Sequence, residues 1–235
     1  MPPKIFFLKG DMFYSPRQLL DPMPGETELL DKIEALKRSN TKNVINQRMA
    51  EFKSFRTRSS HDNFKELCFC ILTGNCGAEA SLKIHAAIGE KFLTCSCPED
   101  FTILLKENGG RFYNNKGRFL ASACRYRETL KQILDSFGDE QQALREWLVG
   151  HIDGFGYKES SHFMRNVGYE NVAIIDFHII NLLSAHGLVE KPKALSKKKY
   201  LEIEGILRGI AGKADLNLGE LDLYLWFMET GKILK

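Results

Sequence analysis

The distribution of proline constrains the fold of this chain more than any other single feature. Five of the seven prolines fall within the first 24 of 235 residues, at positions 2, 3, 16, 22 and 24. Proline is disfavoured inside helices because it lacks a backbone N–H and its ring clashes with the preceding turn. This cluster of prolines therefore predicts that residues 1–26 form an irregular arm. The rest of the chain contains only Pro98 and Pro192, so it is free to be helical.

Apolar residues after the arm recur with the spacing of short amphipathic helices, which predicts an all-α fold. Two helices have clear boundary signals: Pro98 is followed by acidic residues, and Asn217 has Glu220 three positions later, with Gly231 beyond the helix. One short β-type run, residues 172–175, has no comparable partner strand nearby. The predicted helices are 27–38, 42–55, 61–73, 78–89, 98–107, 114–135, 139–150, 157–167, 177–186, 197–212 and 218–230.

Composition excludes several classes of protein. Hydrophobic residues make up 43% of the chain and charged residues 27%, which indicates a folded globular body. No apolar run approaches the ~20 residues of a membrane span, and the first ten residues lack a signal-peptide core, so we expect an intracellular protein. The net charge of +3 permits a nucleic-acid partner without requiring one.

The six cysteines do not have the spacing of a metal site or of a secreted disulfide framework. We therefore expect no metal, and we expect Cys68 and Cys70 to be core residues of an apolar helix. All six precede residue 125, at positions 68, 70, 76, 95, 97 and 124.

The most informative segment is Ile-Asp-Gly-Phe-Gly at 152–156, which separates two predicted helices. Gly154 and Gly156 permit a tight hairpin whose backbone N–H groups point outward together. With the start of the next helix, those groups suit an anion such as a DNA phosphate. On this segment alone, an ordinary corner between two helices is an equally good interpretation.

Two residues that follow the hairpin favour catalysis. Lys158 falls in the first turn of the next helix, where the helix dipole favours the neutral amine that a nucleophile needs. Asp176 falls at the start of the following helix, where backbone N–H groups keep a capping carboxylate ionised. Such a pair suits attack at a sugar C1′, with the carboxylate stabilising the cationic sugar. The alternatives are a solvated surface lysine and a structural cap.

With these residues the sequence resembles the type-2 (archaeal-type) 8-oxoguanine DNA glycosylase/AP lyase family of the helix-hairpin-helix, or endonuclease-III-like, superfamily. The resemblance covers roughly residues 27–235. The segments that carry it are 51–55, 66–73, 111–113, 156–168, 173–176, 220–226 and the final 231–235.

The resemblance implies a two-lobed helix-hairpin-helix glycosylase fold. One lobe is formed by residues 27–61 together with 169–235. The other is a helical barrel formed by residues 62–168, and it ends in the helix-hairpin-helix motif at about 148–168. The active cleft is expected between the two lobes.

The resemblance also assigns roles to residues. Lys158 is the expected nucleophile and Asp176 its catalytic partner. Phe112 and Trp226 are expected to stack on a flipped base, because an extruded base loses its stacking neighbours. Lys235, through its ammonium or its α-carboxylate, is expected to read the edge of the base. Further roles are a DNA-backbone contact at Gly154 and Gly156, and a wedge or opposite-base contact at Asn75.

The function implied is that of a bifunctional enzyme. It would excise 8-oxoguanine from duplex DNA and then cleave the strand at the abasic site through a lysine Schiff base. We expect a monomer with no cofactor for the chemistry. Two alternatives stay open: the same scaffold acting on another oxidised base, and a non-catalytic hairpin module that binds DNA.

The sequence departs from the family pattern at several places. Residues 1–26 have no recognisable counterpart. Phe177 stands where the family commonly has a basic residue, and Gly74-Asn75-Cys76 differs from the usual choices. The four-cysteine iron–sulfur signature of endonuclease III is absent, because no cysteine follows Cys124.

Overall fold

The computed structural model describes residues 24–235, and within this range the chain is a set of α-helices without strands. Most of the predicted arm, residues 1–23, lies outside the described residues. Its last three residues form the first turn of α1, with Pro24 at a position where proline is well tolerated. The helices are α1 (Pro24–Lys37), α2 (Thr41–Ser54), α3 (Ser60–Thr73), α4 (Ala78–Ile88), α5 (Lys91–Thr94), α6 (Pro98–Glu107), α7 (Tyr113–Ala123), α8 (Leu130–Ser136), α9 (Gln141–His151), α10 (Tyr157–Asn166), α11 (Phe177–Ala185), α12 (Lys197–Lys213) and α13 (Leu218–Thr230).

The boundary signals in the sequence lie where the helices begin and end. Pro98 is the first residue of α6. At the start of α13, the Asn217 side chain accepts from the Glu220 N–H while the Glu220 carboxylate accepts from the Asn217 N–H. Gly231 ends that helix in the left-handed conformation, with φ +69°. These three predictions are confirmed.

The predicted helix at 114–135 is wrong, because the chain turns in its middle. A short 3₁₀ helix follows α7 at Cys124–Tyr126, and α8 begins at Leu130. The apolar spacing suits one continuous helix, but the two halves have different main partners: α7 lies mainly on α6, with a smaller contact to α3, whereas α8 lies on α3. One straight helix could not make both contacts. The four-residue helix α5 was also missed.

Three apolar clusters form the core. The largest surrounds α3, whose Phe64, Leu67 and Phe69 are fully buried, and it draws residues from α4 to α10. The second joins α1, α11, α12 and α13, and the third joins α2 to α13. The lobe boundaries stay a prediction, which this clustering supports.

Cys68 and Cys70 are fully buried on α3, as predicted, and burial raises the pKa of both thiols well above the ordinary value. Across residues 24–235, no three His, Cys, Asp or Glu side chains are grouped so that they could hold a metal ion. None of the helices described here is long and apolar enough to cross a bilayer.

Candidate active site

A cleft of about 680 Å³ brings together most of the residues that the sequence singled out. Its walls include residues from α10, α11 and α13, from the turn after α3, and from the two positions just before α7. The sequence-predicted residues that line it are Asn75, Phe112, Lys158, Asp176, Trp226 and Lys235. Gly154 and Gly156 lie outside its lining.

Lys158 reaches the cleft from the second position of α10, and its side chain is 25% exposed. Its Nζ lies 3.6 Å from Oε1 of Glu159. The other oxygen of Glu159 accepts the Gly156 N–H at 3.2 Å, which caps the start of α10. The lysine is therefore partly shielded, and the carboxylate beside it is fixed by the backbone of the hairpin.

Asp176 is the N-cap of α11, as the sequence predicted. Its Oδ1 accepts the backbone N–H groups of His178 at 2.9 Å and Ile179 at 3.0 Å. Within residues 24–235, no group donates a hydrogen bond to the second carboxylate oxygen, Oδ2. The carboxylate is thus held rigidly through one oxygen, and it lines the same cleft as Lys158.

The hairpin between α9 and α10 requires glycine at position 154. Gly154 has φ +82°, and an added Cβ would lie 2.4 Å from the ring of Phe119. Gly156 is extended, and its N–H is engaged by Glu159 rather than directed to solvent alone. The sequence predicts that backbone N–H groups of the hairpin face a phosphate, and the N–H of Gly156 already has Glu159 as a partner. A phosphate bound at this hairpin would therefore have to be held by other backbone N–H groups of the turn.

Aromatic residues form two parts of the cleft wall. Phe112 is 50% exposed and has the left-handed conformation, with φ +56°. A bulky residue adopts this conformation rarely, and such strain is concentrated at ligand sites. Trp226 is partly buried on α13, where the ring of His178 meets it edge-on at 4.9 Å between centroids.

The terminal residue is anchored rather than frayed. The Nζ of Lys235 lies 2.5 Å from Oε2 of Glu66 and 4.7 Å from the centroid of the Phe69 ring. Glu66 is buried on α3. The ammonium is therefore engaged by a buried carboxylate.

A buried polar network, of which Arg165 and Asp222 line the cleft, was not singled out from the sequence. Glu66 Oε1 accepts from Asn166 Nδ2 at 2.6 Å, and the side-chain oxygen Oδ1 of Asn166 accepts from the guanidinium of Arg165, which in turn pairs with Asp222. Burial raises the pKa of Asp222 to about 6, against the opposing effect of Arg165. These residues lie within the segments that resemble the family. Hydrophobic periodicity does not show which charged residues of a helix become buried, so the sequence pattern did not identify them.

The two departures from the family pattern also border the cleft. Asn75 has φ +54°, which asparagine tolerates better than most residues. Beside it, Cys76 Sγ lies 3.0 Å from Nζ of Lys116. Phe177 is 66% exposed, and its ring lies 3.9 Å from that of His178. At that position the chain therefore offers an aromatic surface in place of a cation.

An all-α body that presents a lysine just after a glycine hairpin, and an aspartate at the start of the next helix, has the architecture of the helix-hairpin-helix DNA glycosylases. Residues 45–216 match the family model described as 8-oxoguanine DNA glycosylase, and the chain belongs to that family.

Relatives of known name agree with this assignment. The chain is 50% identical over 208 residues to the 8-oxoguanine DNA glycosylase/AP lyase of Methanocaldococcus jannaschii, covering 88% of this chain and 99% of that protein. It is 46% identical to the protein of the same name from Korarchaeum cryptofilum, covering 90% and 100%. A crystal structure of the M. jannaschii enzyme with a 15mer DNA containing 8-oxoguanine has a TM-score of 0.85 at 49% identity, covering 88% of this chain and all of the other.

Proposed function

We propose that this protein excises 8-oxoguanine from duplex DNA and then cleaves the strand at the resulting abasic site. The observation that carries the proposal is that Lys158 and Asp176 line one cleft together with Phe112 and Trp226. The family membership supports it, because the relatives are named as glycosylase/AP lyases. The same names favour 8-oxoguanine over another oxidised base, and an enzyme over a non-catalytic DNA-binding module.

Lys158 supplies the nucleophile of the proposed reaction. As the free amine, its Nζ bonds to C1′ of the sugar while the N-glycosidic electron pair leaves with the base. Loss of a proton from nitrogen and opening of the sugar ring give a Schiff base. Loss of the C2′ proton then breaks the C3′–O bond, and the phosphate leaves with that electron pair. Water finally hydrolyses the imine and frees the lysine.

Asp176 supplies negative charge where positive charge develops on the sugar. Because its Oδ1 is fixed by the Ile179 and His178 N–H groups, the carboxylate does not have to reorganise during the reaction. It stabilises the oxocarbenium-like centre from the moment that the base begins to leave.

The base pocket combines stacking with recognition of the base edge. Phe112 and Trp226 offer aromatic faces to a flipped purine. 8-Oxoguanine differs from guanine by a carbonyl at C8 and a protonated N7. Since Glu66 holds the ammonium of Lys235, the main-chain oxygens of that residue are the groups that accept a hydrogen bond from N7–H. Guanine has no proton there and is rejected.

The remaining contacts position the DNA. The hairpin with Gly154 and Gly156 lies against the phosphate backbone, which fixes register without reading sequence. Asn75 fills the gap left in the duplex or meets the opposite base. The protein acts as a monomer inside the cell, where its DNA substrate lies, and the chemistry needs no cofactor.

Borohydride trapping tests the proposal. A Schiff base reduced during turnover leaves a covalent protein–DNA adduct, so wild-type protein with an 8-oxoguanine duplex should be trapped. Lys158→Gln should bind the same duplex and give no adduct. Lys198→Gln, which removes an exposed lysine outside the cleft lining, is the matched control and should be trapped normally.

A panel of duplexes separates the alternatives. An enzyme for another lesion would be trapped on an oxidised pyrimidine in preference to 8-oxoguanine. A binding module would give no adduct on any duplex. An adduct with Lys158→Gln would require another nucleophile and would refute the mechanism.

A further inference from the structure

The segment that leads to Asp176 has an unusual set of backbone partners. Residues 172–175 are buried between α10 and α11, but they belong to no helix, and no strand pairs with them among the residues described. Buried backbone groups need hydrogen-bond partners. Side chains of α12 provide them: Glu204 Oε2 accepts the Ala173 N–H at 3.0 Å, and the Tyr200 hydroxyl contacts both Ala173 and Ile175.

The Tyr200 hydroxyl lies at a junction of two chain segments. Its one proton goes to the Ala173 carbonyl, the nearest acceptor at 2.6 Å. It accepts the Ile175 N–H at 3.2 Å and lies 3.3 Å from the hydroxyl of Ser161 on α10. The carbonyl oxygen of Tyr157 is also 3.3 Å away. Tyr157 directly precedes Lys158, and Ile175 directly precedes Asp176.

The surroundings of this hydroxyl hold it in place. Tyr200 is only 2% exposed. Arg145 on α9 donates to Ser161 Oγ at 3.3 Å and pairs with Glu204 at 2.5 Å. Residues from α9, α10, α12 and the 172–175 segment therefore converge on one buried polar cluster, which does not line the cleft.

We propose that Tyr200 is a positioning residue for the glycosylase reaction, whose hydroxyl fixes the backbone before Asp176 relative to the helix that carries Lys158. The inference rests on the function proposed above and deepens it. The nucleophile and the charge-stabilising carboxylate must keep a fixed position relative to each other. A mutation far from the chemistry that displaces a reacting group by about 1 Å can lower the rate about 100-fold. Tyr200 touches neither the substrate nor the cleft.

The test compares Tyr200→Phe with Tyr169→Phe in the full chain. Both variants keep a buried ring and remove one hydroxyl. Tyr169 is 3% exposed, and its hydroxyl donates to the Leu134 carbonyl at 2.9 Å, away from the cleft. Melting temperature, dissociation constant for an 8-oxoguanine duplex, single-turnover excision rate and rate of borohydride trapping are measured for each.

Tyr200→Phe should lose more thermal stability than Tyr169→Phe, because its hydroxyl has more buried partners. Both variants should bind the duplex within about twofold of wild type, because neither hydroxyl lines the cleft. Only Tyr200→Phe should slow excision and trapping, by about tenfold or more. Equal rates in the two variants would overturn the proposal, and so would a loss of rate explained entirely by weaker binding.

A second variant covers the case in which Tyr200→Phe does not fold. Ser161→Ala removes one of the two α10 groups that contact the Tyr200 hydroxyl, and it should slow excision by about threefold at unchanged affinity. A wild-type rate for Ser161→Ala would then overturn the inference. Failure of the proposed function is a different result: wild-type protein would neither excise 8-oxoguanine nor be trapped.

Discussion

Replacing Asp176 by asparagine separates the charge of this residue from its role as a helix cap. The amide oxygen of asparagine can accept the same two N–H groups, those of His178 and Ile179. Asparagine and aspartate are nearly equal as N-caps, so the free energy of unfolding should change by less than about 1 kcal/mol. What the substitution removes is the negative charge beside the reacting sugar.

The expected loss follows from electrostatics at short range. Opposite unit charges about 4 Å apart attract by about 4 kcal/mol at an effective dielectric constant of about 20, which suits a partly exposed cleft. The oxocarbenium-like centre carries only part of a unit charge, so about 3 kcal/mol is expected. Since each 1.36 kcal/mol is about tenfold in rate, excision should slow by about 100-fold.

Single-turnover excision from an 8-oxoguanine duplex measures this loss, with the melting temperature recorded in parallel. Asp62→Asn is the matched control, because it neutralises a carboxylate in the first turn of α3, outside the cleft lining. It makes the same change in net charge and should leave the rate of excision unchanged. If Asp176→Asn excises within about threefold of wild type and folds normally, the residue is only a structural cap and the reasoning fails.

Three other outcomes are expected. Deleting Lys235 should slow 8-oxoguanine excision far more than cleavage at a preformed abasic site, which offers no base to read; equal losses in the two assays would indicate misfolding. Gly154→Val forces a branched side chain into φ +82° and against the Phe119 ring, so gel-shift binding should weaken equally for lesion and undamaged duplexes, and a lesion-specific defect would contradict the hairpin assignment. The folded-state pKa of Asp222, about 6, is raised above its ordinary 3.8, so its stabilising contribution is complete below pH ~4 and is lost as pH rises through 6. The melting temperature of wild type minus that of Asp222→Asn should therefore fall between pH 4 and 7, and a constant difference would exclude this coupling.

Local signals in the sequence predicted much of the fold and of the candidate site. Pro98, the Asn217 and Glu220 pair, and Gly231 mark helix ends because capping depends on residues within one turn of each other. The cap at Asp176 was predictable for the same reason. By contrast, the break between α7 and α8 was missed, because it depends on what each half packs against and not on the residues at the break.

The helical class, the glycine hairpin, and the positions of Lys158 and Asp176 at helix starts all follow from the amino-acid sequence. These properties depend on backbone preferences and on neighbours close in the chain. Two contacts depend instead on how the helices pack: Lys235 meets Glu66, 169 positions earlier, and the Tyr200 hydroxyl contacts the residues that directly precede Lys158 and Asp176. Buried polar contacts between distant segments arise when helices pack, because each group removed from water must find a partner, and that pairing has no local pattern.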